Sequence, residues 1–466
     1  MAIQKIFVAN RGEIAVRIIR AARELGIRTV QAVSAADTNM LAAKLADEVV
    51  EVGPARAAKS YLDVDAMLAA AQGAGADAVH PGYGFLSENA GFAERVEQAG
   101  LVFVGPKSET IRAMGDKATA RAMAAAAGVP TVPGSEGRVE GIEAAREVAG
   151  RIGFPVMIKA AAGGGGRGIR IADSDADLEK LIPQASSEAL SSFGDGGLYL
   201  ERFVPEARHV EVQILGDGTR AIHVWERECS LQRRRQKVWE EAPAMCLSAE
   251  AREALCASAV RLAESVGYRG AGTLEYLFDP RTGEFFFIEM NTRIQVEHPV
   301  SEMITGIDLV REMIRVCDGH RLAYSQADVR ARGHAIEVRI NAENPARDFM
   351  PTPGTVATLK VPGGMGVRFD TMLYPGYVVP PFYDSLLGKL IVWDVTREAA
   401  LHRLAGALAE LEVGGLPTTV ALHRALAADA SVRAGTFHTR WLEGWLAENP
   451  LGAAPAPAKE PEAASR

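Results

Sequence analysis

Short apolar runs alternate with segments of helical spacing through the first third of the chain. Ile6 to Ala9, Thr29 to Val33, Ala78-Val79 and Val102 to Val104 read as strands, and Glu13 to Leu25 reads as a helix. Strands and helices in alternation predict a parallel, doubly wound sheet. Asn10-Arg11-Gly12-Glu13 follows the first strand and opens the helix, the place where an open α/β sheet binds ligands, although the spacing is not a dinucleotide fingerprint. His80 to Asn89 is a second turn-rich loop after a strand, with Tyr83 or Glu88 available to face a cleft.

A period of two takes over later. Ala271 to Phe278 and Glu284 to Glu289 are β-rich runs around the turn Asp279 to Gly283. They predict a hairpin that sets Glu275 beside Glu289. In Glu289 to Glu297 every odd position is polar, so Glu289, Asn291, Arg293, Gln295 and Glu297 are expected on one face of an extended segment. From His334 short strands and Gly/Pro turns precede an alanine-rich helix near Arg397 to Leu411, an α+β pattern.

These changes of pattern divide the chain into an N-terminal α/β domain over 1–114, a central domain over 115–333 and an α+β domain over 334–447. An Ala/Pro-rich tail at 448–466 cannot bury apolar surface and is expected to be flexible. The 466 residues are 48% hydrophobic and 24% charged, with a net charge of -8 and no basic block, so no nucleic-acid partner is expected. No apolar run reaches the roughly 18 residues of a membrane span, and Met1 leads into a strand without a signal-peptide pattern. A cytoplasmic protein without a membrane partner is expected. Cys229, Cys246, Cys256 and Cys317 form no C-x-x-C pair and fit reduced thiols.

Three stretches add chemistry. Phe154 to Lys159 is a strand ending in a lysine, followed by a loop with consecutive glycines that include Gly164, Gly165 and Gly166. Backbone N–H groups there can approach phosphate oxygens while Lys159 neutralises charge, and a loop so rich in glycine suits a mobile lid. Glu201 ends a further strand and can read an adenine edge, and His209, Glu211 and Gln213 form one polar face. Arg233, Arg234, Arg235 and Lys237 crowd together before the chain turns acidic; such a run suits either a solvated face or a desolvated anion site, with Lys237 the natural ligand. Glu275 and Glu289 as cross-strand carboxylates would repel unless they share a cation, which argues for Mg²⁺ or Mn²⁺, and Asn291 could complete the set.

At Ala9-Asn-Arg-Gly-Glu-Ile-Ala15, His80 to Asn89, Cys229 to Glu241 and Glu289 to Glu302 the sequence resembles the biotin carboxylases, a branch of the ATP-grasp superfamily. The resemblance runs from Lys5 to Leu446. It implies an ATP-grasp fold: a Rossmann-like N-terminal domain, a central ATP-grasp domain whose lid spans about 131–204, and the α+β C-terminal domain. It also implies ATP-dependent carboxylation of biotin with bicarbonate through carboxyphosphate. By position, Lys117, Lys159, Gly164, Gly165, Gly166, Glu201, His209, Gln232 and Arg235 would contact ATP, and Glu275, Glu289 and Asn291 would hold two Mg²⁺ or Mn²⁺ ions. Lys237, Arg293, Gln295 and the Val296 backbone would bind bicarbonate, and Glu297 would be its base. Arg339 would stabilise the biotin enolate, with Tyr83 near the ureido ring. The chain departs from the family pattern at Arg235, where a histidine is usual; arginine does not titrate near neutrality but still binds phosphate or ribose oxygens.

Competing readings are another ATP-grasp ligase that activates a carboxylate, and a catalytically silent regulatory paralogue. Arg293 to Glu297 speaks against the first, and Lys237, Arg293, Glu297 and Arg339 together speak against the second. No Ala/Val-Met-Lys-Met segment is present, so biotin is expected on a separate biotin carboxyl carrier protein, with a separate carboxyltransferase. Family analogy implies a homodimer with an exposed helix bearing Arg17, Arg20 and Glu24 near the interface. Acetyl-CoA carboxylase of fatty acid biosynthesis is the default parent, with propionyl-CoA, another acyl-CoA or urea as alternative acceptors.

Overall fold

The computed structural model describes residues 3–160, 169–193 and 196–451. Its first sheet is five-stranded, in the spatial order Glu48–Gly53, Arg28–Ser34, Lys5–Val8, Ala78–His80, Val102–Phe103. Every pairing in it is parallel, as the alternating pattern predicts. The strand order reverses between Lys5–Val8 and Ala78–His80, so the loops after these two strands meet at a crevice. Asn10 ties them, its Nδ2 donating to the Pro81 carbonyl at 2.6 Å and the Tyr83 carbonyl at 2.7 Å. Gly82 lies at φ +61, and a Cβ there would come within 2.9 Å of Asn10 Nδ2, so the crossing admits only glycine.

Helix Gly12–Glu24 packs on helix Leu309–Cys317, with its apolar stripe in the core. This corrects the expectation of an exposed face bearing Arg17. Arg17 is buried and donates to Glu302 at 3.0 Å and Asp308 at 2.6 Å, while Arg20 and Glu24 are exposed. The docking of the second helix turns what looked like a solvated cation inward, and paired carboxylates satisfy it.

The centre of the molecule is an eight-stranded antiparallel sheet, ordered Phe285–Asn291, Arg269–Phe278, Arg208–Asp217, Ala221–Arg233, Gln236–Ala242, His334–Asn341, Leu386–Asp394, Val367–Thr371. It runs unbroken across position 334, since Trp239 pairs with Val338 and Glu240 with Glu337. Helix Ala249–Ser265 covers one part of the sheet and helix Arg397–Glu410 another, each over its own apolar cluster. A smaller antiparallel sheet, Arg170–Ala172, Val156–Ala160 and Leu198–Arg202, lies under helices Gly141–Ile152 and Asp175–Phe193. Ala149, Ile158, Leu178 and Leu200 belong to a core of its own, so this unit is stabilised internally rather than by the main sheet. Gly164, Gly165 and Gly166, and the tail from 452 on, lie outside the described residues.

Candidate functional site

The crevice of the parallel sheet faces the large antiparallel sheet across a cavity of about 770 Å³. Glu13 and Tyr83 line it from one side, and Lys237, Glu275, Glu289 and Arg339 from the other. The hairpin forms as its alternation predicts, with Glu275 directly opposite Glu289. The segment beyond it does not. The strand ends at Asn291, and Glu297 caps the helix His298–Thr305 at φ -82, ψ 8. Pro299 stands in the first turn of that helix, where its missing N–H costs no intrahelical hydrogen bond. Arg293, Gln295, Val296 and Glu297 still line the cavity, because the loop curls over it rather than extending past it.

Lys237 is the hub. Its Nζ donates to Glu211 at 2.6 Å, Glu297 at 2.7 Å and Glu275 at 2.8 Å. Burial alone would discharge the ammonium, but the three carboxylates reverse that and hold its pKa well above the ordinary lysine value. Burial likewise pushes Glu297 up, and the combined pull of Lys237, Arg339 and Arg227 brings it well below the usual carboxylate range. Glu297 stands at the N-cap position of helix His298–Thr305, whose N-terminal dipole favours the same anionic state. Arg339 bridges Glu297 at 3.0 Å and Glu240 at 2.6 Å.

Around this hub the polar side chains are fixed one by one. Gln295 Nε2 donates to Glu275 at 2.9 Å, and Asn291 Nδ2 donates to the same oxygen at 3.0 Å. Arg293 donates to Asn291 Oδ1 and to Glu88, both at 2.9 Å, so the second of the two cleft candidates in the His80 to Asn89 loop enters the site as well. The Val296 carbonyl accepts from buried Lys389, which orients that peptide, and Tyr83 donates to Glu13. His209 Nε2 lies 3.1 Å from Glu275, with Gln232 on its other nitrogen at 2.8 Å.

Lys159 pairs with Glu201, which also accepts from Arg121 at 3.4 Å, on the smaller sheet rather than in the cavity wall. Lys117 is exposed at the start of helix Lys117–Ala126 and exerts its charge on Glu289. The cation run is divided by a hairpin turn: Arg233 and Arg234 hold Asp348, Arg235 lines the cavity, and Lys237 enters the hub. Glu211, Arg227 and Glu240 were missed as site residues. Arg227 and Glu240 sit in buried stretches of strand whose contacts come from long-range pairing and leave no local signal; Glu211 shows a local polar alternation with His209 and Gln213, but its partners Arg227 and Lys237 lie on other strands.

The residues present suit a hard divalent cation. Glu289 is raised by burial first and then by the like charge of Glu275, a repulsion that a cation would relieve. His209, Glu211 and Glu275 also offer ligand atoms within 4.8 Å of one another.

The family model for the biotin carboxylase N-terminal domain matches residues 2–111, and that for the biotin carboxylase C-terminal domain matches residues 337–444. Between them, residues 116–325 match the ATP-binding domain of the carbamoyl-phosphate synthase L chain. The biotin carboxylase of Pseudomonas aeruginosa is 52% identical over 443 residues, which are 95% of this chain and 98% of that protein. The chain belongs to the biotin carboxylase family. The chloroplastic biotin carboxylase of Arabidopsis thaliana is 54% identical over 90% of this chain and 78% of its own. Among solved structures, the biotin carboxylase domain of a thermophilic 2-oxoglutarate carboxylase, described as bound to bicarbonate, superposes with a TM-score of 0.92 at 44% identity, covering 97% of this chain and 100% of that one. The corresponding domain from Hydrogenobacter thermophilus, described as a dimer with MgADP and bicarbonate, gives a TM-score of 0.85 at 45% identity, with 97% and 100% covered.

As a biotin carboxylase the chain has the ATP-grasp fold and is an ATP-dependent ligase that performs the biotin-carboxylation half-reaction. Relatives serve different parent enzymes: a pyruvate carboxylase component of Methanothermobacter thermautotrophicus is 48% identical over 94% of this chain and 89% of its own. Among the described residues no helix is long and apolar enough to cross a membrane.

Proposed function

We propose that Glu297 is the base of the half-reaction and that Lys237, Arg293, Gln295 and the Val296 backbone hold bicarbonate beside it. One observation carries this reading: a carboxylate kept anionic inside the cavity by Lys237 at 2.7 Å and Arg339 at 3.0 Å. Such a group accepts a proton from bicarbonate while the same cations stabilise the carbonate formed. A carbonate oxygen then attacks the γ-phosphorus of ATP, giving carboxyphosphate and ADP. Carboxyphosphate breaks down to CO₂ and phosphate; the phosphate takes the proton from N1′ of biotin, and N1′ of the resulting enolate attacks the CO₂.

Arg339 faces both ends of this sequence. It holds Glu297 for the first step, and its charge is available to the biotin enolate in the second; Tyr83, held by Glu13, lines the wall where the ureido ring would pack. Lys117, Lys159, Gly164, Gly165, Gly166, Glu201, His209, Gln232 and Arg235 are assigned to the nucleotide. Glu275, Glu289 and Asn291 would hold Mg²⁺ or Mn²⁺, which neutralises polyphosphate charge when bound.

The carrier of biotin and the carboxyltransferase are proposed to be separate chains, within an acetyl-CoA carboxylase of the cytoplasm. The Hydrogenobacter dimer supports a homodimer here, with Arg20 and Glu24 the accessible part of the interface first assigned to that helix. The deciding experiment is ADP release from ATP and Mg²⁺, with and without bicarbonate and free biotin, for the wild type and Glu297→Gln. Biotin-stimulated turnover that collapses in the variant supports the assigned base. Bicarbonate-independent hydrolysis, or an active variant, sinks it.

A further inference from the structure

Arg227 lies in the middle of strand Ala221–Arg233 with no exposed surface. A guanidinium offers five N–H donors in a rigid fork. Here each finds an acceptor. Nε donates to Glu211 Oε1 at 2.7 Å; Nη1 donates to Gln213 Oε1 at 2.6 Å and Ser301 Oγ at 3.0 Å; Nη2 donates to Gln295 Oε1 at 2.9 Å and Thr273 Oγ1 at 3.1 Å. The acceptors come from two neighbouring strands, from the loop after Asn291 and from helix His298–Thr305, so one side chain joins the pieces that wall the cavity.

Two of these contacts have chemical consequences. Gln295 gives its oxygen to Arg227, so its amide must present Nε2 on the other side, where it now donates to Glu275. Glu211 gives one oxygen to Arg227 and the other to Lys237 at 2.6 Å, so Arg227 fixes the carboxylate against which Lys237 is set. We infer that Arg227 is the positioning residue of the bicarbonate pocket: its fork sets the Gln295 amide donor-side out and holds Glu211 so that Lys237 points at the anion. A lysine cannot replace it, because a single nitrogen cannot span acceptors on four elements. The nucleotide residues Lys159, Glu201 and Lys117 are untouched by this fork. The inference rests on the proposed placement of bicarbonate against Lys237 and Gln295.

The test is steady-state ADP release for Arg227→Lys and Arg227→Gln, varying bicarbonate and ATP separately, with a thermal melt of each variant. KM for bicarbonate is expected to rise at least tenfold in both, while KM for ATP stays within twofold; loss of ground-state and transition-state binding together appears in KM. Unchanged bicarbonate KM, a parallel rise in both constants, or a fall in kcat alone would overturn the inference. If both variants fail to fold, Thr273→Val combined with Ser301→Ala decides: it removes two acceptors of the fork and keeps the charge. A selective twofold or greater rise in bicarbonate KM supports positioning, and an unselective or absent change overturns it. Glu297→Gln is assayed alongside. Activity retained there sinks the base assignment and leaves the Arg227 outcome readable, since the latter is a ratio of two Michaelis constants.

Discussion

Lys237 Nζ and Glu297 Oε1 lie 2.7 Å apart inside the cavity, yet Lys237 belongs equally to Glu211 and Glu275. One ammonium therefore links three buried carboxylates, sharing their compensation with Arg227 on Glu211 and with Arg339 on Glu297. Lys237→Met is expected to lower bicarbonate-dependent ADP release by about 10²-fold or more and to destabilise the fold by about 3–5 kcal/mol, the cost of an uncompensated buried charge. Turnover and urea denaturation check this together. A variant as stable as the wild type at neutral pH would show that the carboxylates share no buried charge with Lys237.

The same cluster fixes a pH dependence. Glu297 is depressed in the fold, so its ionisation contributes stability above the unfolded carboxylate value of about 4.3 and loses it as pH falls through the lower folded value. Glu240 behaves in the opposite sense. Burial pushes its carboxyl up to about 7, against the pull of Arg339 and with the repulsion of Glu297. Its protonated form suits the fold, so this contribution is present at acidic pH and is lost as pH rises through about 7. Glu240→Gln keeps an acceptor for Arg339 and removes the titration. Its urea midpoint is expected to change less between pH 5 and 7.5 than that of the wild type. An unchanged slope would refute the assignment.

How much was legible in advance depended on the range of the interaction. The Glu275–Glu289 pair could be read because a five-residue turn between β-rich runs fixes register locally. Arg293, Gln295 and Glu297 were found on the right premise of a shared face but the wrong backbone, since the strand ends at Asn291 and a curled loop brings them to the cavity. Arg227 was invisible. In Glu226-Arg227-Glu228 it reads as one charge among others, and only four elements meeting around it reveal a buried fork. Arg17 failed for the same reason, its partners lying far along the chain at Glu302 and Asp308.

Removing a carboxylate from the cross-strand pair separates stability from function. Glu289 is raised by burial and by Glu275 opposite it, so in the absence of divalent cation Glu289→Gln relieves repulsion. Its melting temperature in EDTA is expected to equal or exceed that of the wild type. With Mg²⁺ the order reverses: the variant loses one hard oxygen ligand, and the Mg²⁺ concentration for half-maximal turnover is expected to rise about tenfold, which corresponds to about 1.4 kcal/mol. A fall in melting temperature in EDTA, or an unaltered Mg²⁺ requirement, would remove Glu289 from the metal set.

Arg235 carries a similar opposition in the backbone. Arg234 and Arg235 occupy the two-residue turn between Ala221–Arg233 and Gln236–Ala242 at φ +48 and +65, a conformation that favours Asn and Gly. Arg235 nevertheless lines the cavity. Holding a long side chain in the left-handed region costs about 1 kcal/mol or more, and such strain persists where the side chain is used. Arg235→Asn is therefore expected to raise unfolding stability by about 0.5–1 kcal/mol while raising KM for ATP several-fold and leaving KM for bicarbonate near its original value. Arg234→Asn, at a residue turned toward Asp348 and Glu443, should gain less because it also loses its ion pair with Asp348. If Arg235→Asn leaves ATP affinity intact, Arg235 is a turn residue only.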